Sequence, residues 1–226
     1  MSKPVPAALG LVVALVLGLP GIVAAQPAMP LEPVYPPEAS PFRHGYTEAM
    51  GDYVKWGYQV TAARNPLIHP DSPRNCEVQG DFVYVGSHGA GKDCVVPKGK
   101  AVVLGFARAE CSRAQGDGDT FAKLRRCARH RFARRFGEAA YRFLMQVDGG
   151  LLAKPRRWTF TSENRVVRLP EENIFRAPAG RTKSVTRGLF YIFRPMKPGK
   201  HEVRVHGDAR TSGKFEHVYA FTVEES

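Results

Sequence analysis

A dense run of cationic side chains is the feature of this sequence best suited to binding a ligand. Between positions 123 and 142 the chain carries eight Lys or Arg residues and one acid, Glu138. Charge of one sign at this density attracts polyanions through long-range steering and counterion release. The alternative is that these side chains only form the solvated outer face of an amphipathic helix. The candidate binding residues are Arg125, Arg126, Arg129, Arg134 and Arg135.

Two carboxylates, Glu110 and Asp148, are the candidates for catalysis. Each follows an apolar segment at a position where a loop is expected to begin. A pair of carboxyl groups can act as acid and base in the hydrolysis of a glycosidic bond. The alternative is structural, with Glu110 paired to an arginine and Asp148 hydrogen-bonded within a turn. The sequence therefore leaves open whether the protein is an enzyme.

Motifs for metal-dependent or nucleophilic catalysis are missing from the sequence. Its seven histidines form no HxH or HExxH pattern, which would place two ligands beside one metal ion. No serine stands in a GxSxG motif. We therefore expect neither a metal site nor a cofactor.

The four cysteines predict two disulfide bonds, because an even number in an exported chain is typical of a disulfide framework. We favour Cys76–Cys94 and Cys111–Cys127, since each bond then closes a short loop. Loops of this size stabilise a fold by about 3 kcal/mol each in the chain-entropy model. The alternative, a metal site, lacks the CxxC spacing that structural zinc sites use.

Hydrophobic periodicity predicts the elements that must position these residues. Apolar residues at three- and four-residue steps indicate a short helix over 46–61 and a long amphipathic helix over 119–147. Alternating apolar and polar residues at 188–193, 201–206 and 215–223 predict strands with one buried face. The predicted fold is mainly β, an antiparallel β-sandwich (Ig-like or jelly-roll-like) with the long helix inserted.

The N-terminus has the organisation of a secretory signal peptide. Lys3 precedes an apolar run over 7–19, and small residues lead to a cleavage site after Ala25. A Pro-rich tether is predicted over 26–42, followed by a single domain over 43–226. We expect a secreted or periplasmic protein without a transmembrane segment once the signal is cleaved, because no later run is long and apolar enough.

Several short motifs follow one another along the predicted domain. They are Trp56, Asn65–Pro66, Asn75–Cys76, Gln79, 82–84, 94–100, Glu110–Cys111, 147–149 and 198–201. Their order resembles a family of secreted, largely uncharacterised bacterial proteins, and the resemblance covers most of the mature chain. It implies an extracytoplasmic β-sandwich with structural cysteines, and it implies no catalytic residues.

The expected function is that of an exported binding or interaction domain. Its partner would be an anionic envelope component, such as lipopolysaccharide, anionic lipid or acidic glycan, bound through the basic helix. Nucleic acid is not expected as a partner, because no nucleic-acid-binding motif is present and an exported chain seldom meets it. The alternative is a secreted hydrolase that acts on glycans with Glu110 and Asp148.

Overall fold

The computed structural model describes residues 32–86, 94–137, 143–152, 155–209 and 213–225. Within these residues eleven strands form two sheets, and the chain also has two α-helices. The predicted signal peptide, 1–25, and residues 26–31 of the predicted tether lie outside the described residues. No helix of the described part of the chain is long and apolar enough to cross a membrane.

The first sheet has β9 (Gly180–Phe193) at its centre. This strand pairs antiparallel with β4 (Ala101–Ser112) on one side and with β7 (Thr159–Thr161) and β8 (Arg165–Leu169) on the other. Strand β2 (Phe82–Val85) continues the sheet beyond β4. The remaining strand of this sheet is β1 (Cys76–Gln79).

The second sheet is built on the hairpin of β10 and β11, with β5 and β6 beside β10 and β3 beside β11. Its strands are β3 (Val95–Val96), β5 (Leu144–Val147), β6 (Gly150–Leu152), β10 (Gly199–Ala209) and β11 (Gly213–Val223). The prediction of a mainly β chain is confirmed. Most strand pairs of the described residues are antiparallel, as predicted, and the two exceptions are the parallel pairs of β2 with β4 and of β3 with β11.

One hydrophobic core joins the two sheets. The ring of Phe106 on β4 lies 5.4 Å from the ring of Tyr191 on β9 and 6.1 Å from the ring of Phe143, which immediately precedes β5. Helix α1 (Tyr46–Tyr58) packs on β7, β8 and β9 and adds aromatic side chains to this core. The apolar surface that these rings remove from water is the main stabilising term of the fold.

Helix α2 (Phe121–Arg135) packs on β4 and β9 through Leu124, Ala128 and Phe132, which are buried. These positions are four residues apart and therefore share one face of the helix. The Thr120 hydroxyl accepts a hydrogen bond from the Lys123 backbone N–H and caps the start of the helix.

The helix predicted over 119–147 is shorter than expected and ends at Arg135. Gly137 follows with a φ of 54°, a left-handed conformation that favours glycine and ends helices. Residues 144–147 instead form β5, in which Met145 and Val147 are buried and Leu144 is exposed. Phe143 and Val147 fit both a period of 3.6 and a period of 2, and this coincidence extended the predicted helix.

The second half of the predicted tether is part of the folded domain. Val34 is fully buried and forms a β-bridge with Phe193 at the end of β9. Hydrogen bonds from Tyr35 N to Ile192 O and from Arg194 N to Pro33 O flank the bridge. A proline can accept such a bond although it cannot donate one. The ordered domain therefore begins before residue 43.

Candidate functional site

Three arginines of α2 form an outer face, defined here as the exposed side chains of Arg126, Arg129 and Arg134. His130, also exposed, lies four residues from both Arg126 and Arg134, so it stands on the same side of the helix. None of the three arginines has an ion-pair partner among the described residues. The outer face is therefore positively charged and open to a ligand.

The other two predicted binding arginines border this face and already have contacts. Arg125 is half-buried and donates a 2.8 Å hydrogen bond to Asn164 Oδ1. The guanidinium of Arg135 is exposed and lies 5.3 Å from the centroid of the Phe136 ring. Both remain close enough to add to the local positive potential.

Arg131, in the middle of the same cationic run, has a structural position. Its guanidinium forms an ion pair with the Asp117 carboxylate and also donates to the backbone carbonyl of Glu110. The Arg131 side chain is 33% exposed and that of Asp117 is 11% exposed, so solvent screens this ion pair only in part. Arg131 therefore anchors α2 to the rest of the protein, whereas Arg126, Arg129 and Arg134 form its outer face.

A disulfide bond fixes α2 to the first sheet. Cys111 on β4 pairs with Cys127 on α2, and Cys76 pairs with Cys94, which confirms the favoured pairing. In the described residues one cluster brings three possible metal-ligating atoms within 4.8 Å of one another. Its residues are Cys111, Asp117 and Cys127. Both sulfurs are in the disulfide and the carboxylate is bonded to Arg131, so this group does not fit a metal ion.

The candidate acid Glu110 is buried in β4, with only 8% of the residue exposed. Its two carboxyl oxygens accept hydrogen bonds from the Ser184 and Thr186 hydroxyls of β9. Burial raises the pKa of Glu110 to about 7, although these hydroxyls favour the ionised form and lower it. Such a carboxyl group changes its charge near neutral pH.

The second candidate, Asp148, lies in the turn between β5 and β6 of the other sheet, with a φ of 49°. Its carboxylate lies 2.7 Å from His201 Nδ1 and accepts a 2.8 Å hydrogen bond from the Glu202 backbone N–H. These contacts make Asp148 a turn residue. The structure gives Glu110 and Asp148 separate partners in different sheets and does not bring them together in one cavity.

Arg108 is a residue that sequence reasoning missed. The pairing of β4 with β9 shifts register between Phe106 and Ala109, which marks a β-bulge at Ala107 and Arg108. The guanidinium carbon of Arg108 lies 5.4 Å from the centroid of the Tyr53 ring. Its Nη1 is buried and has no hydrogen-bond partner among the described residues. An arginine and a glutamate two residues apart in an apolar strand are the signal that could have revealed this site.

A cavity of about 250 Å³ opens beside Arg108 and Glu110. Its polar wall also contains Gln115, Arg131 and Arg135, so cations outnumber acids on that side. Most of the remaining lining is apolar. The main apolar residues are Leu67, Ile68, Ile174 and Phe175.

A larger depression of about 440 Å³ lies over α1 and the β1–β2 hairpin. Most of its charged groups are occupied within the molecule. The Arg74 guanidinium pairs with the Glu77 carboxylate, which also accepts a hydrogen bond from Trp56 Nε1. Lys100 pairs with Asp81 at 3.3 Å. This depression therefore presents less unpaired polar chemistry than the cavity beside Arg108.

Comparison of the chain with protein-family models, with curated proteins and with solved structures gave no match. The outer face of α2 and the cavity beside Arg108 are the features of the described residues that best suit ligand binding.

Proposed function

We propose that this protein is an exported binding domain that contacts an anionic component of the cell envelope through the outer face of α2. The observation that carries the proposal is the exposure of Arg126, Arg129 and Arg134 on one helix without acidic partners in the described part of the chain. Lipopolysaccharide, anionic lipid and acidic glycan share the required chemistry, which is a surface that repeats phosphate or carboxylate groups.

The geometry of the helix supports this function. Eight residues separate Arg126 from Arg134, which corresponds to about 12 Å along the helix axis. Arginine forms planar, bidentate hydrogen bonds with phosphate and carboxylate, so this face can contact several anionic groups at once. The Cys111–Cys127 disulfide and the buried face of α2 hold the helix in place, which lowers the entropy lost on binding.

Export and the finer fold class belong to the same proposal. Two disulfide bonds are typical of proteins that fold in an oxidising compartment, which supports cleavage after Ala25 and a secreted or periplasmic location. A core shared by both sheets supports a β-sandwich of the Ig-like or jelly-roll-like kind, as the resemblance to secreted bacterial proteins also implies. The glycan hydrolase is not proposed, because Glu110 and Asp148 have separate partners.

The test is cosedimentation of the purified, disulfide-bonded protein with three anionic ligands at increasing salt. Vesicles with anionic phospholipid, lipopolysaccharide and an acidic polysaccharide are compared, and vesicles of zwitterionic lipid are the control. We expect binding to at least one anionic ligand that weakens steeply as salt increases, because counterions are released on binding. Absence of salt-sensitive binding to all three would exclude the proposed function.

Charge reversal distinguishes binding through the outer face of α2 from binding that depends only on the net charge of the protein. The triple variant Arg126→Glu, Arg129→Glu and Arg134→Glu should lose most of the binding and keep its fold. The matched control reverses three exposed arginines away from α2 and changes the net charge equally. The control residues are Arg64, Arg168 and Arg181.

A further inference from the structure

We infer that the cavity beside Arg108 binds a small organic carboxylate with an apolar body. This site is separate from the outer face of α2 and does not depend on the function proposed for that face. The inference follows from the absence of an ion-pair partner for Arg108 among the described residues, from the local backbone and from the composition of the cavity lining.

Arg108 brings a cation into the protein without a compensating anion. The side chain is half-buried and lines the cavity, and no carboxylate among the described residues forms an ion pair with it. Its Nη1 is enclosed within the protein without a hydrogen-bond partner in the described part of the chain. The ionisable groups that act on it most strongly are the phenols of Tyr53, Tyr58 and Tyr219. Burial raises the pKa of each phenol, so all three are neutral at physiological pH. A cation in this environment is costly unless an anion joins it.

The acid in the lining of the cavity, Glu110, does not supply that anion. Both carboxyl oxygens of Glu110 accept hydrogen bonds from Ser184 and Thr186 on β9. Burial also raises the pKa of Glu110 to about 7, so much of this group is uncharged near neutral pH. Arg108 therefore lacks an anionic partner among the described residues, and a carboxylate bound in the cavity would supply one.

The backbone around Arg108 is specialised to hold the side chain in this position. Ala107 adopts a φ of 47°, which is uncommon for a residue other than glycine, and it forms part of the bulge in β4. On the neighbouring strand, a Cβ at Gly188 would lie 2.9 Å from Arg108 Cγ. Bulges and left-handed residues occur often at binding sites, where they redirect a side chain.

The cavity walls indicate the chemistry of the ligand. The guanidinium of Arg135 contributes a second cation, whereas Arg131 is already paired with Asp117. An arginine fork matches a carboxylate in two parallel hydrogen bonds. The apolar part of the lining, which includes Ile174 and Phe175, favours a hydrocarbon body. A volume of about 250 Å³ limits the ligand to a small molecule.

Calorimetric titration of the full, disulfide-bonded protein tests this inference. The probes are hexanoate and phenylacetate, with phenylacetamide as the neutral isostere and inorganic phosphate as a second anion. We expect saturable binding of at least one carboxylate and affinity at least about tenfold lower for phenylacetamide, because a charge-assisted hydrogen bond is lost. Failure of both carboxylates to bind, or equal affinity for the amide, would overturn the inference. Tighter binding of phosphate than of either carboxylate would also overturn it.

Substitutions of residues that line the cavity test whether the carboxylate binds there. Arg108→Met should weaken carboxylate binding at least about tenfold, since it removes the charged donor and keeps much of the side-chain volume. Ile174→Trp adds side-chain volume to the apolar lining of the cavity and tests the site independently if Arg108→Met does not fold. Arg168→Met is the matched control on the exposed side of β8 and should bind like the native protein. Undiminished binding by Ile174→Trp would place the ligand elsewhere and contradict the assignment.

Discussion

Cys111 on β4 is bonded to Cys127 on α2, so one covalent bond joins the central region of the first sheet to the helix that carries the outer face. The sulfurs lie beside the buried residues Leu124, Ala128 and Val185. This bond determines where the exposed arginines of α2 stand relative to the rest of the protein.

Removal of this disulfide should destabilise the protein and loosen α2. The change is Cys111→Ala with Cys127→Ala, and the expected loss in the free energy of unfolding is about 2–4 kcal/mol. Urea unfolding measures the loss, and hydrogen exchange of α2 amides shows where it acts. The matched control is Cys76→Ala with Cys94→Ala, which should leave the exchange of α2 close to that of the native protein. Equal exchange of α2 in both variants would contradict the role given to Cys111–Cys127.

Glu110 should make stability fall as pH rises. Burial raises its pKa from 4.5 to about 7, whereas Ser184, Thr186 and Tyr58 lower it by hydrogen bonding and Asp117 raises it slightly further. The folded state therefore binds the proton more tightly than the unfolded state. The contribution of Glu110 to stability should decrease from about pH 4.5 to about pH 7, by on the order of 3 kcal/mol, and then level off.

Glu110→Gln isolates this contribution, because the amide does not titrate. Urea unfolding at several pH values should show a flatter profile for the variant than for the native protein between about pH 4.5 and about pH 7. Parallel profiles for the two proteins would show that Glu110 is not the responsible group.

Arg131 and Arg126 should have opposite effects although they are five residues apart on one helix. Arg131→Met removes the ion pair with Asp117 and the hydrogen bond to Glu110 O, and it should reduce the free energy of unfolding by about 1–3 kcal/mol. Arg126→Met removes an exposed side chain and should change stability by less than about 0.5 kcal/mol. In cosedimentation with the anionic ligand, Arg126→Met should be the more damaging variant. The reverse order would place the binding surface elsewhere.

Gly188 should not tolerate a side chain. Gly188→Ala places a Cβ 2.9 Å from Arg108 Cγ and 3.2 Å from its Cα, so β4 or β9 must shift. We expect a loss of about 1–3 kcal/mol in thermal or urea unfolding, together with weaker carboxylate binding. Gly45→Ala is the control, because the nearest atom to its Cβ, Ser40 Oγ, is 3.8 Å away. Native stability in Gly188→Ala would show that the contact with Arg108 is not tight.

The local patterns in the sequence predicted several elements well. Alternation over 201–206 and 215–223 lies within the strands β10 and β11, and the short loops between cysteines predicted both disulfides. These features depend on neighbours in the chain, so a sequence displays them. The predicted end of the long helix was wrong because the apolar spacing of Phe143 and Val147 suits a helix and a strand equally.

The spacing of Arg108 and Glu110 in an apolar strand could have marked them as candidates, but the shape of the cavity beside them could not be predicted, because it depends on how β4 and β9 align. A bulge is a property of two strands, and no residue of β4 shows where the register changes. The hydroxyls that bind Glu110 come from Ser184 and Thr186, more than seventy positions along the chain. Such partners become visible only when the strands are paired.

The most direct measurement of the central claim is the salt dependence of binding to the best anionic ligand from about 50 to about 200 mM salt. The native protein and the control variant of Arg64, Arg168 and Arg181 should lose affinity steeply over this range. The variant with Arg126, Arg129 and Arg134 reversed should bind weakly throughout and show little salt dependence. Equal affinity and equal salt dependence of the two triple variants would contradict the assignment of binding to the outer face of α2.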